Sequence, residues 1–199
     1  MSLPSTGIAI FDFDGTLIAG DSLPRFLDEV AGVPRTRTAM VAAVAGALAA
    51  HAVGRPPGAD FPGSVKALLL RTLLKDIPLT AAYDAGRRLK ARLRWLTPQV
   101  EALHRHATAG HRIVVASGAL DVYLPILLQG LPVDDVLATD MELRDDRLTG
   151  RLAAGNCVRA LKAERVRPLL AAAGGPSWGY GNRPHDLPML ALVDHPTII

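Results

Sequence analysis

Apolar and polar residues change period several times along this chain, and each change marks an element. Ile8-Ala9-Ile10-Phe11 is a short unbroken apolar run, as expected of a parallel strand buried on both faces, and it stops at two carboxylates, Asp12 and Asp14, around Phe13. Leu23, Phe26, Leu27 and Val30 then recur at helical spacing behind a capping Asp21 or Ser22, and Gly32 can end that helix. The Ala-rich stretch 38–53, with Met40, Val41, Val44 and Leu48, reads as a buried helix; it is too short to span a bilayer, and Gly46 and His51 interrupt it. Pro and Gly punctuate a loop over 54–63, and two further helices are predicted over 64–74 and 80–95.

From Thr97 the pattern becomes a regular alternation. Thr97 can cap a helix with Pro98 in its first turn and Gly110 at its end. The β-branched run 112–116 then leads straight into Ser117-Gly118. A helix over 121–128, a strand over 135–139 and a hairpin over 141–152 around Asp145-Asp146 follow. The helix 157–172 carries Lys162, the strand 177–180 leads to Gly181-Asn182-Arg183-Pro184-His185-Asp186, and a helix over 187–193 precedes a last strand from Thr197. Strand-then-helix alternation predicts an α/β fold, a doubly wound parallel sheet with helices on both faces. A helical cap interrupts it after the first strand, so the expected division is a core of residues 1–19 and 96–199 and a cap of residues 20–95.

Composition changes this picture little. About half of the 199 residues are apolar and a fifth are charged, which excludes a disordered chain. The single cysteine, Cys157, allows no internal disulfide, and Met1-Ser2-Leu3-Pro4-Ser5 lacks the basic and apolar regions of a secretory leader, so a reducing cytoplasmic setting is expected. The charge of +3 is unevenly spread: residues 31–95 hold 11 Lys or Arg against 3 Asp or Glu. Arg87, Arg88, Lys90, Arg92 and Arg94 interleave with Leu89, Leu93 and Trp95, which reads first as a solvated amphipathic face and second as an electropositive rim for phosphorylated substrates. Nucleic acid fits poorly, since the stripe has one aromatic for stacking.

The chemistry concentrates at strand ends, where open α/β sheets place their ligands. Asp12 and Asp14 are two residues apart on extended backbone and share one side, Gly15 permits a sharp turn, and Thr16 adds a hydroxyl. This Asp12-Phe13-Asp14-Gly15-Thr16 stretch, Ser117 after Val115-Ala116, Lys162, and the segment from Gly181 to Asp186 followed by Leu187-Pro188-Met189-Leu190 resemble, in order and spacing, the four motifs of the haloacid-dehalogenase-like superfamily. Leu148-Thr149-Gly150, Asn156-Cys157 and the helical insertion after the first motif resemble its phosphoserine-phosphatase-like branch.

That resemblance implies phosphomonoester hydrolysis through an aspartyl-phosphate. Asp12 would be the nucleophile and Asp14 the proton shuttle, while Ser117, the Gly118 N–H, Thr16 and Lys162 would hold the phosphate. Mg²⁺ would be held by Asp12, the Asp14 carbonyl, Asp186 and Asn182. The family has Asp where this chain has Asn182, which removes a negative charge from the metal site and opens a second reading, a catalytically weak phosphate-binding module. Asp21 stands where the branch holds the substrate's amine; Arg71 lies one residue out of register with its carboxylate-binding Arg, about 100° around a helix. The expected partner is a small phosphate ester, with the protein a monomer or homodimer and without stable membrane insertion. His104, His106 and His111 read as a solvated face, His185 as substrate-side or structural, and Cys157 as a packing residue at a helix start.

Overall fold

β1 (Ile8–Phe11) has all four side chains fully buried and lies at the middle of a five-stranded parallel sheet. The protein is described by a computed structural model covering residues 7–182 and 184–199, so Met1 to Thr6 and Arg183 fall outside the described residues. β2 (Arg112–Leu120) pairs with one side of β1 and β6 (Ser177–Gly181) with the other. β3 (Asp135–Thr139) and β7 (His195–Ile198) complete the order β3-β2-β1-β6-β7. The chain thus winds one way from β1 and later returns to wind the other way, which opens a crevice beyond the carboxyl end of β1.

Side-chain alternation divides the core across this sheet. Ala9, Phe11, Ile113 and Val115 pack toward Leu103 of α5 (Thr97–Thr108) and the inserted helices. Ile8, Ile10, Val114 and Ala116 pack toward Val166 of α7 (Arg159–Ala172) and Met189 and Leu190 of α8 (Leu187–Leu190). Burial of one Leu- or Ile-sized side chain contributes roughly 1.5–3 kcal/mol, so two such faces hold the central strand firmly.

Between β1 and β2 lie α1 (Ser22–Ala31), α2 (Val33–Ala52), α3 (Phe61–Leu73) and α4 (Leu79–Lys90). Asp21 caps α1, accepting from the Leu23 N–H at 2.9 Å. Gly32, at φ 83° and ψ 147°, both ends α1 and begins α2, whose first turn holds Pro34; α2 therefore starts five residues before the predicted Thr38. The expectation of a buried helix is corrected. Only Thr36, Ala39, Ala43 and Ala47 are buried, and Val41 and Leu48 are 72% and 59% exposed, so α2 lies on the surface and rests a narrow stripe of small side chains against α3.

α3 begins at Phe61, ahead of the predicted Ser64, because Asp60 accepts from the Gly63 N–H at 2.7 Å and Pro62 fits the first turn. α4 ends at Lys90 instead of running to Trp95. The Ala19 N–H donates to the Arg94 carbonyl and the Leu96 N–H to the Leu17 carbonyl, so the two crossings into the insertion pair with one another on extended backbone. The basic stripe is occupied structurally: Arg88 and Arg92 bind Glu29, Arg87 binds Asp84, and Lys90 donates to the Gln129 carbonyl. None of these groups lines the crevice, so the electropositive-rim reading is not what the structure gives.

β4 (Met141–Arg144) and β5 (Arg147–Leu152) form the predicted hairpin, with Asp145 and Asp146 both at positive φ. A five-residue α6 (Leu124–Leu128) is all that forms of the predicted helix 121–128. Leu96, not Thr97, occupies the cap of α5. No helix among the described residues is long and apolar enough to cross a membrane.

At Gly32 an added Cβ would meet nothing within 4 Å, so a substitution there isolates backbone strain. Gly32→Ala is expected to destabilise the fold by about 1–3 kcal/mol, because this region of φ and ψ is almost closed to residues with a Cβ; urea unfolding reads this as a lower midpoint at unchanged slope.

Candidate active site

The crevice is built where three strands stop. The Asp12 N–H extends the β1–β6 ladder by donating to the Tyr180 carbonyl at 2.8 Å, which fixes the backbone of the first carboxylate. Asp12 Oδ2 then accepts from the Thr16 hydroxyl at 3.0 Å and Oδ1 from Lys162 Nζ at 2.8 Å. Gly15 turns the chain at φ 74°, and a Cβ there would lie 2.8 Å from Asn182 Nδ2. Asp14 accepts from the Ser22 N–H at 2.7 Å, which ties the second acid to the start of α1.

Ser117 and Gly118 do not simply terminate β2. The pairing of β2 with β3 jumps from Ala116↔Leu137 to Leu120↔Thr139, so Ser117, Gly118 and Ala119 oppose a single residue and bulge out of the ladder. That bulge aims both groups into the crevice. A Cβ on Gly118 would sit 2.8 Å from Val158 Cγ1, so glycine is what permits the loop before α7 to close on the site.

Lys162 is the electrostatic centre. Its side chain is 2% exposed, and Nζ donates to Asp12 at 2.8 Å and to Asp186 at 2.5 Å. Asp186 Oδ2 accepts from the Asn182 N–H at 2.9 Å, and the Asn182 amide donates to the Asp14 carbonyl at 2.8 Å. One chain of contacts therefore joins Thr16, Asp12, Lys162, Asp186, Asn182 and Asp14. Burial pushes the Asp12 carboxyl up from its ordinary value, Lys162 opposes this, and the charge of Asp186 adds to it. Burial likewise raises Asp14, to about 7, helped by Asp21. Burial acts to lower Lys162, but Asp12 and Asp186 together outweigh it and hold the ammonium above its usual value.

Asp12, Asp14, Asp21, Ser117, Gly118, Lys162, Asn182 and Asp186 all line one cavity of about 430 Å³, and Thr16 lies fully buried behind Asp12. The structure thus brings every predicted site residue to one place. Two buried carboxylates share one ammonium there, beside the Asp14 carbonyl and the Asn182 amide. Net negative charge among hard oxygens suits a hard divalent cation. Among the described residues no three His, Cys, Asp or Glu side chains converge closely enough to hold an ion, so such a cation would depend on the carbonyl and amide oxygens as well.

Several placements differ from expectation. Lys66 of α3 was not foreseen: Nζ donates to the Gly118 carbonyl at 2.7 Å and to Asn156 Oδ1 at 2.6 Å, and burial lowers its pKa to about 8. A lone Lys in an amphipathic helix carries no sequence signal for this position. His106 and His111 are not a solvated face; they share a 2.8 Å contact, His106 meets the Tyr180 hydroxyl at 2.9 Å, and His111 stacks on Trp178. Burial and the neighbouring His111 lower the His106 pKa. Cys157 precedes α7 instead of opening it, and burial raises its thiol, so it is a packing residue. His185 lines the cavity with its buried Nδ1 unpartnered among the described residues. Arg71 faces a second cavity and not this one.

A strand end bearing two carboxylates at the switch point of a doubly wound sheet, under an inserted helical segment, marks a hydrolase with a Rossmann-like core. The chain belongs to the haloacid dehalogenase-like hydrolase family, matching it over residues 9–191. It is similar to protein CicA of Caulobacter vibrioides, 29% identical over 204 aligned residues that cover 97% of this chain and 89% of CicA. It is also similar to a phosphoserine phosphatase of Streptomyces coelicolor, 29% identical over 92% of this chain but only 41% of that protein. A crystal structure of a protein of unknown function from Bordetella pertussis Tohama I superposes with a TM-score of 0.75 at 25% identity, covering 96% of this chain and 89% of that one.

Lys162→Met should cost about 3–5 kcal/mol, since it leaves two buried carboxylates without a counter-charge. The folded-state pKa of Asp12, already raised, would rise further, so the folded variant binds protons that the unfolded chain does not. Stability then falls as pH rises above the ordinary carboxyl value of about 4. Urea unfolding of the variant across pH is expected to show the largest deficit near neutrality and a shrinking one toward acid; a deficit that does not vary with pH would contradict the buried triad.

Proposed function

We propose that this protein is a Mg²⁺-dependent phosphomonoesterase that works through an aspartyl-phosphate on a small phosphate ester. The observation that carries this reading is Asp12 itself, a buried carboxylate oriented by Thr16 and Lys162 at the floor of a cavity, with a second acid two residues on. Asp12 attacks phosphorus, the bond to the ester oxygen breaks, and Asp14 donates its proton to that oxygen. Water then attacks the acyl phosphate, Asp14 takes its proton, and inorganic phosphate leaves with Asp12 restored. A pKa of about 7 leaves Asp14 partly protonated at neutral pH, as both half-reactions need.

Ser117, the Gly118 N–H and Lys162 hold the phosphoryl oxygens, and Asp21 faces the leaving group. Residues 20–95 act as a cap over a core of residues 1–19 and 96–199. Mg²⁺, when bound by Asp12, the Asp14 carbonyl, Asp186 and Asn182, supplies neutralisation of the dianion that Asp12 must approach. A half-turn of the Asn182 amide exchanges its nitrogen for its oxygen at that position. Each Asp186 oxygen accepts one hydrogen bond from the protein, as each Asp12 oxygen does, and keeps a lone pair for the ion, while Asp186 also anchors Lys162. Phosphoserine is one candidate substrate, by likeness to the Streptomyces coelicolor phosphoserine phosphatase. The second reading, a catalytically weak phosphate-binding module, is favoured by one observation, the neutral Asn182 in the acidic motif.

Asp12→Asn is expected to abolish Mg²⁺-dependent phosphate release from a panel of metabolite phosphoesters, whereas the binding-module reading expects the unaltered protein to bind phosphate with negligible turnover. With Asp14 as acid, kcat should fall as pH rises through about 7, and Asp14→Asn should flatten that limb. Asn182→Asp should tighten Mg²⁺ binding in a titration; equal or weaker binding would remove Asn182 from the metal site.

A further inference from the structure

Beside the phosphate cavity, on the far side of a shared wall, lies a second and larger one of about 570 Å³. It sits on the seam between α3, the end of β5 and the start of α7, and its size is that of a pocket for a small organic ligand. Asp60, Gly63, Asn156 and Val158 line both cavities, so the two are neighbours without being one space. Gly150 makes the seam possible: at φ 75°, a Cβ there would lie 2.8 Å from the Leu70 carbonyl and 2.9 Å from Arg71 Cα.

Its lining is divided by chemistry. Leu152, Leu161 and Val158 give an apolar floor, while Arg71, Arg151 and Arg159 come from the three separate segments that meet there. Asp60 is the only acid in the lining, and it is already paired with Arg159. The guanidinium groups of Arg71 and Arg151 have no hydrogen-bond or ion-pair partner among the described residues, and Arg151 also borders a neighbouring groove that holds Asp76, Glu142 and Asp145. α7 also begins at this wall with no side-chain cap, so its positive end adds to the same field. An apolar chamber with forked cations at its mouth matches a molecule with a hydrocarbon body and one carboxylate or similar anionic head, since guanidinium binds such heads in bidentate fashion.

We propose that this seam is a second ligand site, separate from the phosphate cavity, that takes a small amphipathic anion. It does not depend on the phosphatase reading. The probe is octanoate, which has the required body and head and no phosphoryl group, titrated calorimetrically into the full chain beside its neutral analogue octanamide. The expected result is saturable binding at one site per chain, octanamide weaker by tenfold or more, and a loss of roughly tenfold per guanidinium in the Arg71→Gln/Arg151→Gln double variant. Both residues are exposed, so the double variant should unfold at the unaltered temperature, and Leu161→Phe, which fills the floor, gives an independent block. The proposal is overturned if octanoate fails to saturate in the millimolar range, if octanamide binds equally well, or if the double variant binds as tightly as the parent. It is equally overturned if Lys66→Met, in the first cavity, abolishes octanoate binding while the double arginine variant leaves it intact.

Discussion

Lys162 sits with almost no water around it between two carboxylates contributed by other segments of the chain. Removing an ammonium from water is costly, and it persists here only because Asp12 and Asp186 together more than offset that cost. The arrangement fixes relative positions as well as charges. Asp12 follows β1, Asp186 precedes α8 and Lys162 lies on the second turn of α7, so a single ammonium holds the end of the central strand, one helix and the loop after β6 in mutual register. Displacing any of these elements would leave a buried charge unpaired, a larger loss than most apolar contacts can make good.

The same arithmetic accounts for the chemistry. Two carboxylates and one ammonium leave a surplus of negative charge at the floor of the cavity, the condition under which carboxyl groups resist ionisation. Asp14, outside the triad, feels burial and the charges of Asp21 and Asp12, with Lys66 across the same cavity but no ion pair of its own among the described residues. Burial raises both acids, but Asp12 has the Lys162 ammonium against that shift and Asp14 has no such ion pair, so environment alone sets the two apart.

The motifs of the candidate site were legible in the sequence because each one is local. Asp12 and Asp14 stand at the end of an apolar run, Ser117 follows another, and Lys162 and Asp186 are spaced as a known family spaces them. What escaped sequence reading depends on tertiary contact. Lys66 matters through acceptors on Gly118 and Asn156, far along the chain. The Ala-rich α2 could not be sorted from composition, since a helix apolar all round and a helix with one buried stripe of small residues have similar content. The end of α4 is set by the pairing of Arg94 and Leu96 with Ala19 and Leu17, which no propensity records. His106 and His111 looked polar in the sequence and are partly enclosed by aromatic rings in the fold.

The central position of β1 also bears on how the chain can assemble. Ile8 pairs on one side with Arg112 and on the other with Ser177, so β1 is flanked by partners made much later. Until β6 emerges, a fully apolar segment has one open edge, the kind of template on which chains pair wrongly with one another. Closing it also requires two large loops to be drawn in before any ladder bond rewards them, which places this fold among slow, topology-limited folders. The strand that leads into the proposed nucleophile is therefore also the one whose completion has to wait until β6, from Ser177 on, has been made.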